Sequence, residues 1–223
     1  MTALDDEVER LSKGRARNAV LVVAIVASLV IGATAGVLLL RPEQTPTDTS
    51  PEAGFARDMS VHHSQAVEMA FAVYPATGDP EIRQLAYDNI NTQRTQIGMF
   101  SGWLQQWDLA QTSTASPMAW VGQGHDGLMT DGPMMSYEDM PGMATDEQMD
   151  KLRNLTGAAA ERMFLELMIE HHRGGVAMAE AIIPLTDREE VQRIATTIVN
   201  GQQAEISNME VLLANRTPAP GQP

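Results

Sequence analysis

Two stretches of the chain carry the same soft-donor pattern. Met59-Ser-Val-His62-His63 and Met168-Ile-Glu-His171-His172 are each followed by a second methionine, Met69 and Met178, seven residues after the first histidine of the pair. The stretches lie 109 positions apart and hold four of the five histidines. Imidazole tolerates Cu(I), Cu(II) and Zn(II), whereas a thioether selects Cu(I) over hard cations. The chain has no cysteine, so thiolate sites and disulfides are excluded. Met59, His62, His63, Met69, Met168, His171, His172 and Met178 are therefore the candidate metal ligands, with copper as the metal, Cu(I) favoured and Cu(II) possible. The competing reading is structural, with hydrogen-bonded histidines and methionines that fill a core.

Each residue of an α-helix advances about 100°, so each Met-His set falls within one broad stripe. Adjacent histidines diverge by a similar angle, which lets one of each pair ligate while the other makes a structural hydrogen bond. Di-iron bundles place Glu-x-x-His on two helices. Here Met59 and Met168 stand where those glutamates would be, so a redox di-iron centre is not expected.

The elements that must position these stripes are helical. The first is expected from about Gly54 to Val73, stopped by Pro75. Asp79-Pro80 supplies an N-cap and a proline at the first helical position, and apolar spacing from Ile82 to Leu104 carries a second helix to about Trp107. Thr145-Asp-Glu-Gln148 has the form of a capping box, opening a third stretch interrupted near Thr156-Gly157. That stretch carries the second histidine pair and stops before Pro184. Thr186-Asp-Arg-Glu189 reads as another capping box, starting a last helix through Leu213.

A shift of 109 residues also aligns Phe55 with Phe164, Leu85 with Ile194, Ala86 with Ala195, Gln93 with Gln202 and Leu104 with Leu213. The chain thus holds two helical hairpins in tandem. One hairpin cannot bury its own apolar stripes, but two together make a four-helix bundle, an all-α fold. The bundle domain is placed at 54–214, with a Pro-rich tail at 215–223.

Between the hairpins, residues 108–144 are rich in Gly, Pro, Ser and Thr. Loops of that length inside a compact domain are uncommon and often functional. This one carries Met129, Met134, Met135, Met140 and Met143 with His125, a second and looser copper-capturing set. A flexible loop pays ordering entropy on binding, which ranks it below the helical set.

Residues 1–18 are polar and end in Lys13, Arg15 and Arg17. Ala19 to Leu40 then runs for 22 residues without a charge, enough to span a hydrocarbon core of about 30 Å. The basic flank predicts a cytoplasmic N-terminus and an extracytoplasmic bundle. Ala33-Thr-Ala35 resembles a signal-peptidase site, but the apolar run continues past it, which favours an uncleaved anchor. Ala24, Ser28, Gly32 and Gly36 put small residues on one face of that helix, a surface for a second copy or a membrane-protein partner. Residues 41–53, rich in Pro, Thr, Ser and Asp, read as a flexible tether.

From residue 42 onward the chain has ten Lys and Arg against 25 Asp and Glu. Such an acidic surface disfavours nucleic acid as a partner. No Ser-His-Asp, Cys-His or phosphate-loop arrangement supports catalysis, so an enzyme is not expected.

Met140-Pro-Gly-Met143-Ala-Thr-Asp-Glu147, followed by Phe164-Leu-Glu-Leu-Met168-Ile-Glu-His171-His172-Arg-Gly-Gly-Val-Ala-Met178-Ala, closely resembles domain-of-unknown-function family 305 over roughly Gly54 to Ala214. The resemblance implies a ferritin-like four-helical fold, exported or membrane-anchored in bacteria, with some members tied to copper binding and tolerance. It points to the same eight Met and His positions. Arg173-Gly174-Gly175 departs from the small or polar helix-favouring run more usual there. The function these readings imply is a membrane-anchored extracytoplasmic copper protein for sequestration, tolerance or delivery. The rival is a non-catalytic accessory subunit of a membrane complex whose Met-His stripes only pack.

Overall fold

The computed structural model describes residues 3–39, 45–124 and 135–216. Its α-helices are α1 (Ala3–Leu39), α2 (Pro51–Ala76), α3 (Pro80–Gln106), α4 (Asp146–Asn154), α5 (Gly157–Ile182) and α6 (Glu189–Ala214). They divide into two compact units, Met1–Thr45 and Pro46–Pro223.

The first unit holds α1, within which Lys13–Thr34 has a mean hydropathy of 2.1 and is long and apolar enough to cross a membrane. Ser28 and Thr34 donate their hydroxyls back to the carbonyls of Ala24 and Val30, at 2.9 and 2.8 Å. Their polar groups are thereby satisfied within the helix itself.

In the second unit α2 pairs with α3 and α5 with α6, and the two hairpins join through α2 against α5. The helix α2 begins a turn before the expected Gly54. Ser50 caps it by accepting from Ala53 N–H at 3.4 Å, and Pro51 occupies the first turn. The end of the expected tether is packed rather than loose, because Pro46 is buried and Asp48 holds Arg57. Arg57 is almost fully buried, and a buried guanidinium needs partners. It finds them in the Asp48 carboxylate at 2.5 Å and the Ala110 carbonyl at 3.0 Å.

Pro75 lies inside α2 rather than beyond it. In a last turn, the missing N–H forfeits only one bond and the helix closes at Ala76. The equivalent Pro184 sits in a 3-10 turn, Ile183–Leu185, that ends α5. Asp79 caps α3 through Glu81 N–H at 2.8 Å, and the Thr145 capping box forms as expected. Gly157 adopts φ +59 between α4 and α5, a conformation that favours glycine.

The capping box expected at Thr186 does not form, and Arg188 takes the N-cap position without a side-chain bond. Thr186 instead donates to Glu52 Oε1 at 2.7 Å, in the first turn of α2. Its counterpart Thr77 donates to Glu161 Oε1 at 2.6 Å, near the start of α5. Each inter-helix turn thus grips the start of the other hairpin. A tertiary bond to a carboxylate outcompetes a local cap, since charge-assisted bonds are about twice as strong as neutral ones.

The apolar interior forms two clusters built from equivalent residues. One joins Phe55 and Met59 of α2 to Met178 and Ile182 of α5 and to Val191 and Ile194 of α6. The other joins Phe164 and Met168 of α5 to Met69 and Val73 of α2 and to Ile82 and Leu85 of α3. Early residues of α2 meet late residues of α5 and the reverse, so the two helices run antiparallel. The histidine pairs lie between the clusters, midway along both helices.

Candidate metal centre

His62, His63, His171 and His172 are completely buried. The rings of His62 and His171 face each other across α2 and α5, with centroids 3.8 Å apart and planes tilted by 34°. The other two rings turn toward the outer helices. His63 Nε2 donates to Gln96 Oε1 of α3 at 2.6 Å, and His172 Nε2 donates to Glu205 Oε2 of α6 at 2.6 Å. The two histidines of each pair therefore divide their roles, as the helical angle requires.

His62 Nε2 donates to the Pro141 carbonyl at 3.1 Å. In all three bonds the partner is an oxygen, so Nε2 carries a proton, and in the neutral ring the lone pair is on Nδ1. The Nδ1 atoms of His62, His63 and His172 are buried without a hydrogen-bond partner, as are both ring nitrogens of His171. Burial pushes the His62 imidazole down to about 4 and holds His63 and His171 well below the ordinary histidine value. Crowding among the imidazoles adds to the effect at His63 and His171, since a proton on one ring repels a proton on the next. The main chain of His62 offsets it slightly at His171 while lying outside hydrogen-bond geometry. These three imidazoles are neutral at physiological pH, the form that ligates a metal.

Met59, Met69, Met168 and Met178 are also completely buried. Met59 and Met178 belong to one apolar cluster and Met69 and Met168 to the other, so thioethers bracket the imidazole layer from both sides. Among the described residues no three His, Asp or Glu side chains group as a metal-binding set. A hard-cation centre is thus not assembled among the described residues. The unpartnered ring nitrogens and the flanking thioethers fit a soft or borderline cation. Gln93 and Gln202 add buried amide atoms without partners, one helical turn before Gln96 and Glu205.

The segment Met140–Ala144 is strapped across this layer. Gln65 pairs with the main chain of Ala144 in both directions, accepting from its N–H at 2.7 Å and donating to its carbonyl at 2.8 Å. The Pro141–Gly142 backbone lies directly on α5 at Gly174, where a Cβ would overlap the Pro141 carbonyl and come within 2.7 Å of Gly142 N. Gly142 itself has φ +78. A Cβ at Gly175 would press on the Gln202 amide, 3.1 Å from its nitrogen. The unusual Gly-Gly of α5 is explained by what approaches it. Further back in the same loop, Asp58 accepts from Met118 N–H at 2.7 Å and from the Trp120 indole at 2.8 Å.

Of the looser loop set, Met140 is buried in the first cluster and Met143 packs against it, whereas Met135 is 40% exposed. His125, Met129 and Met134 lie outside the described residues. Sequence reasoning missed Gln65, Gln96, Glu205 and the Pro141 carbonyl. A signal for two of them was present, because positions 96 and 205 are themselves 109 apart.

The sequence profile described as "Domain of unknown function (DUF305)" matches residues 52–213. The chain belongs to the DUF305 family. A DUF305 protein from Streptomyces coelicolor, described as secreted, is 45% identical, with a TM-score of 0.69 over 79% of this chain and 100% of its own. A DUF305 fragment from Deinococcus radiodurans is 32% identical, with a TM-score of 0.61 over 78% of this chain and 99% of its own. CopM in its Cu(I)-bound form is 26% identical, with a TM-score of 0.53 over 76% of this chain and 97% of its own, and it has also been solved in a Cu(II)-bound form. No curated protein matches. The DUF305 match begins in the first turn of α2 and ends in the last turn of α6, so it takes in both hairpins, the strap and all four buried histidines.

Proposed function

We propose that this protein is a copper-binding bundle, held at the outer face of a bacterial membrane by α1, that sequesters copper or hands it on. Its role is binding rather than catalysis. The observation that carries this reading is the layer of buried imidazoles, with ring nitrogens free of hydrogen bonds and thioethers on either side. A buried polar atom left unpaired costs roughly 1–3 kcal/mol, a cost that a bound cation removes. The relationship to CopM, solved in Cu(I)-bound and Cu(II)-bound forms, supports copper as that cation. On this reading His62 and His171, whose rings face each other, are the direct ligands. The four buried methionines supply the preference for the reduced ion.

A second reading has one observation in its favour: the eight Met and His side chains are closed off from solvent, and among the described residues no three acidic or imidazole groups converge. On that reading the layer is packing alone and the protein is an accessory subunit. A Cu(I) competition titration of the full chain in detergent separates the two. We expect stoichiometric binding that is lost when His62, His63, His171 and His172 are all changed to Ala. Unchanged stoichiometry in the quadruple variant would overturn the site.

A further inference from the structure

The two halves of the bundle are copies, and their difference at one position is informative. His63 and His172 are equivalent, both completely buried, and both donate Nε2–H to an oxygen 2.6 Å away on the outer helix of their own hairpin. In the first hairpin that oxygen is the neutral amide of Gln96, buried at 8% exposure. In the second it is the carboxylate of Glu205, with 29% of its side chain exposed. Both bonds leave Nδ1 as the free atom, buried and without a partner. Geometry is conserved between the halves while charge is not.

A carboxylate that accepts from the distal nitrogen of a ligating imidazole fixes the ring, raises its basicity and contributes negative charge to the site. An amide fixes the ring equally well but contributes no charge. We infer that Glu205 is a positioning residue that makes the two halves electrostatically distinct: through His172 it adds negative charge beside the His62 and His171 centre and favours the doubly charged copper ion, while Gln96 and His63 add none. The inference rests on the copper reading above, and it extends that reading from which metal is bound to how the two oxidation states are distinguished. Glu205 faces the imidazole from α6. Arg173, the nearest cation on α5 in sequence, pairs with Glu170 and Glu210 and not with Glu205.

The test uses the full chain in detergent and two variants, Glu205→Gln and Gln96→Glu, with Cu(I) and Cu(II) affinities measured separately by competition. Glu205→Gln should weaken Cu(II) about 10-fold, at the low end of outer-shell effects, and leave Cu(I) within about threefold. Gln96→Glu should shift the ratio the other way. In the metal-free protein, 15N resonances of His172 should show the proton on Nε2 in wild type and in Glu205→Gln alike. Equal loss of both ions, or no change in their ratio with binding retained, overturns the inference and leaves the copper reading intact. A wild type that binds neither ion overturns both. A proton on Nδ1 of His172 would overturn the positioning argument by itself.

Discussion

Gly174→Ala should destabilise the bundle by about 3 kcal/mol, opposite in sign to the usual result of replacing a helical glycine. Alanine in a helix interior is favoured over glycine by roughly 0.5–1 kcal/mol. Gly98 of α3 and Gly201 of α6, with open space where a Cβ would stand, should show that gain. At Gly174 the added carbon meets the main chain of Pro141 and Gly142, with no flexible side-chain tip to swing aside. The strap must lift, and overpacking of this kind costs roughly 1–3 kcal/mol. Lifting it also breaks the His62 bond to Pro141 and the paired Gln65 bonds to Ala144. Each such bond is worth roughly 1 kcal/mol net. Urea denaturation of Gly174→Ala beside Gly98→Ala checks the contrast, and stabilisation of both would show that the strap does not rest on α5.

Acid should unfold the metal-free bundle well above the carboxylate range. His62, His63 and His171 bind protons less readily in the folded chain than in the unfolded one, where their value is near 6.5. The unfolded state therefore takes up protons first as pH falls. Stability is complete above about 6.5 and drains away through the window down to about 4, where His62 itself protonates. One unit of displacement corresponds to about 1.4 kcal/mol per group. At pH 5 His62 alone would remove roughly 2 kcal/mol, and His63 and His171 act in the same direction. Asp139 and Glu190 are shifted down and act only near or below the ordinary carboxylate values. Asp58, raised by burial, acts in the opposite sense. Unfolding followed by circular dichroism should show a midpoint between about pH 6.5 and 4 without copper and a lower one with it. A metal-free midpoint below pH 4 would contradict the buried neutral imidazoles.

The division into two hairpins was legible in the sequence because the repeat carries ligands, core and punctuation together. Phe55 and Phe164, Met59 and Met168, and Leu85 and Ile194 do occupy equivalent places in the two clusters. Capping was legible at Thr145, and at Asp79, where one carboxylate oxygen takes the local cap and the other remains for Arg216. It failed at Thr186, whose hydroxyl had a tertiary alternative in Glu52, 134 positions away. The strap was beyond sequence reading for a similar reason. Its position depends on backbone meeting backbone at Gly174, and periodicity says nothing about which chain approaches a glycine. The outer partners of the histidines were half legible. Helical spacing indicated that one imidazole of each pair would seek a hydrogen bond, but only the packing of α3 and α6 brings Gln96 and Glu205 to them.

Copper K-edge X-ray absorption on the full chain loaded with one equivalent of Cu(I) bears most directly on the ligand set. The expected spectrum combines imidazole multiple scattering with a sulfur shell, both lost in the quadruple histidine variant. A first shell of oxygen alone, or nitrogen without sulfur, would contradict a centre in which buried thioethers and imidazoles hold the ion together.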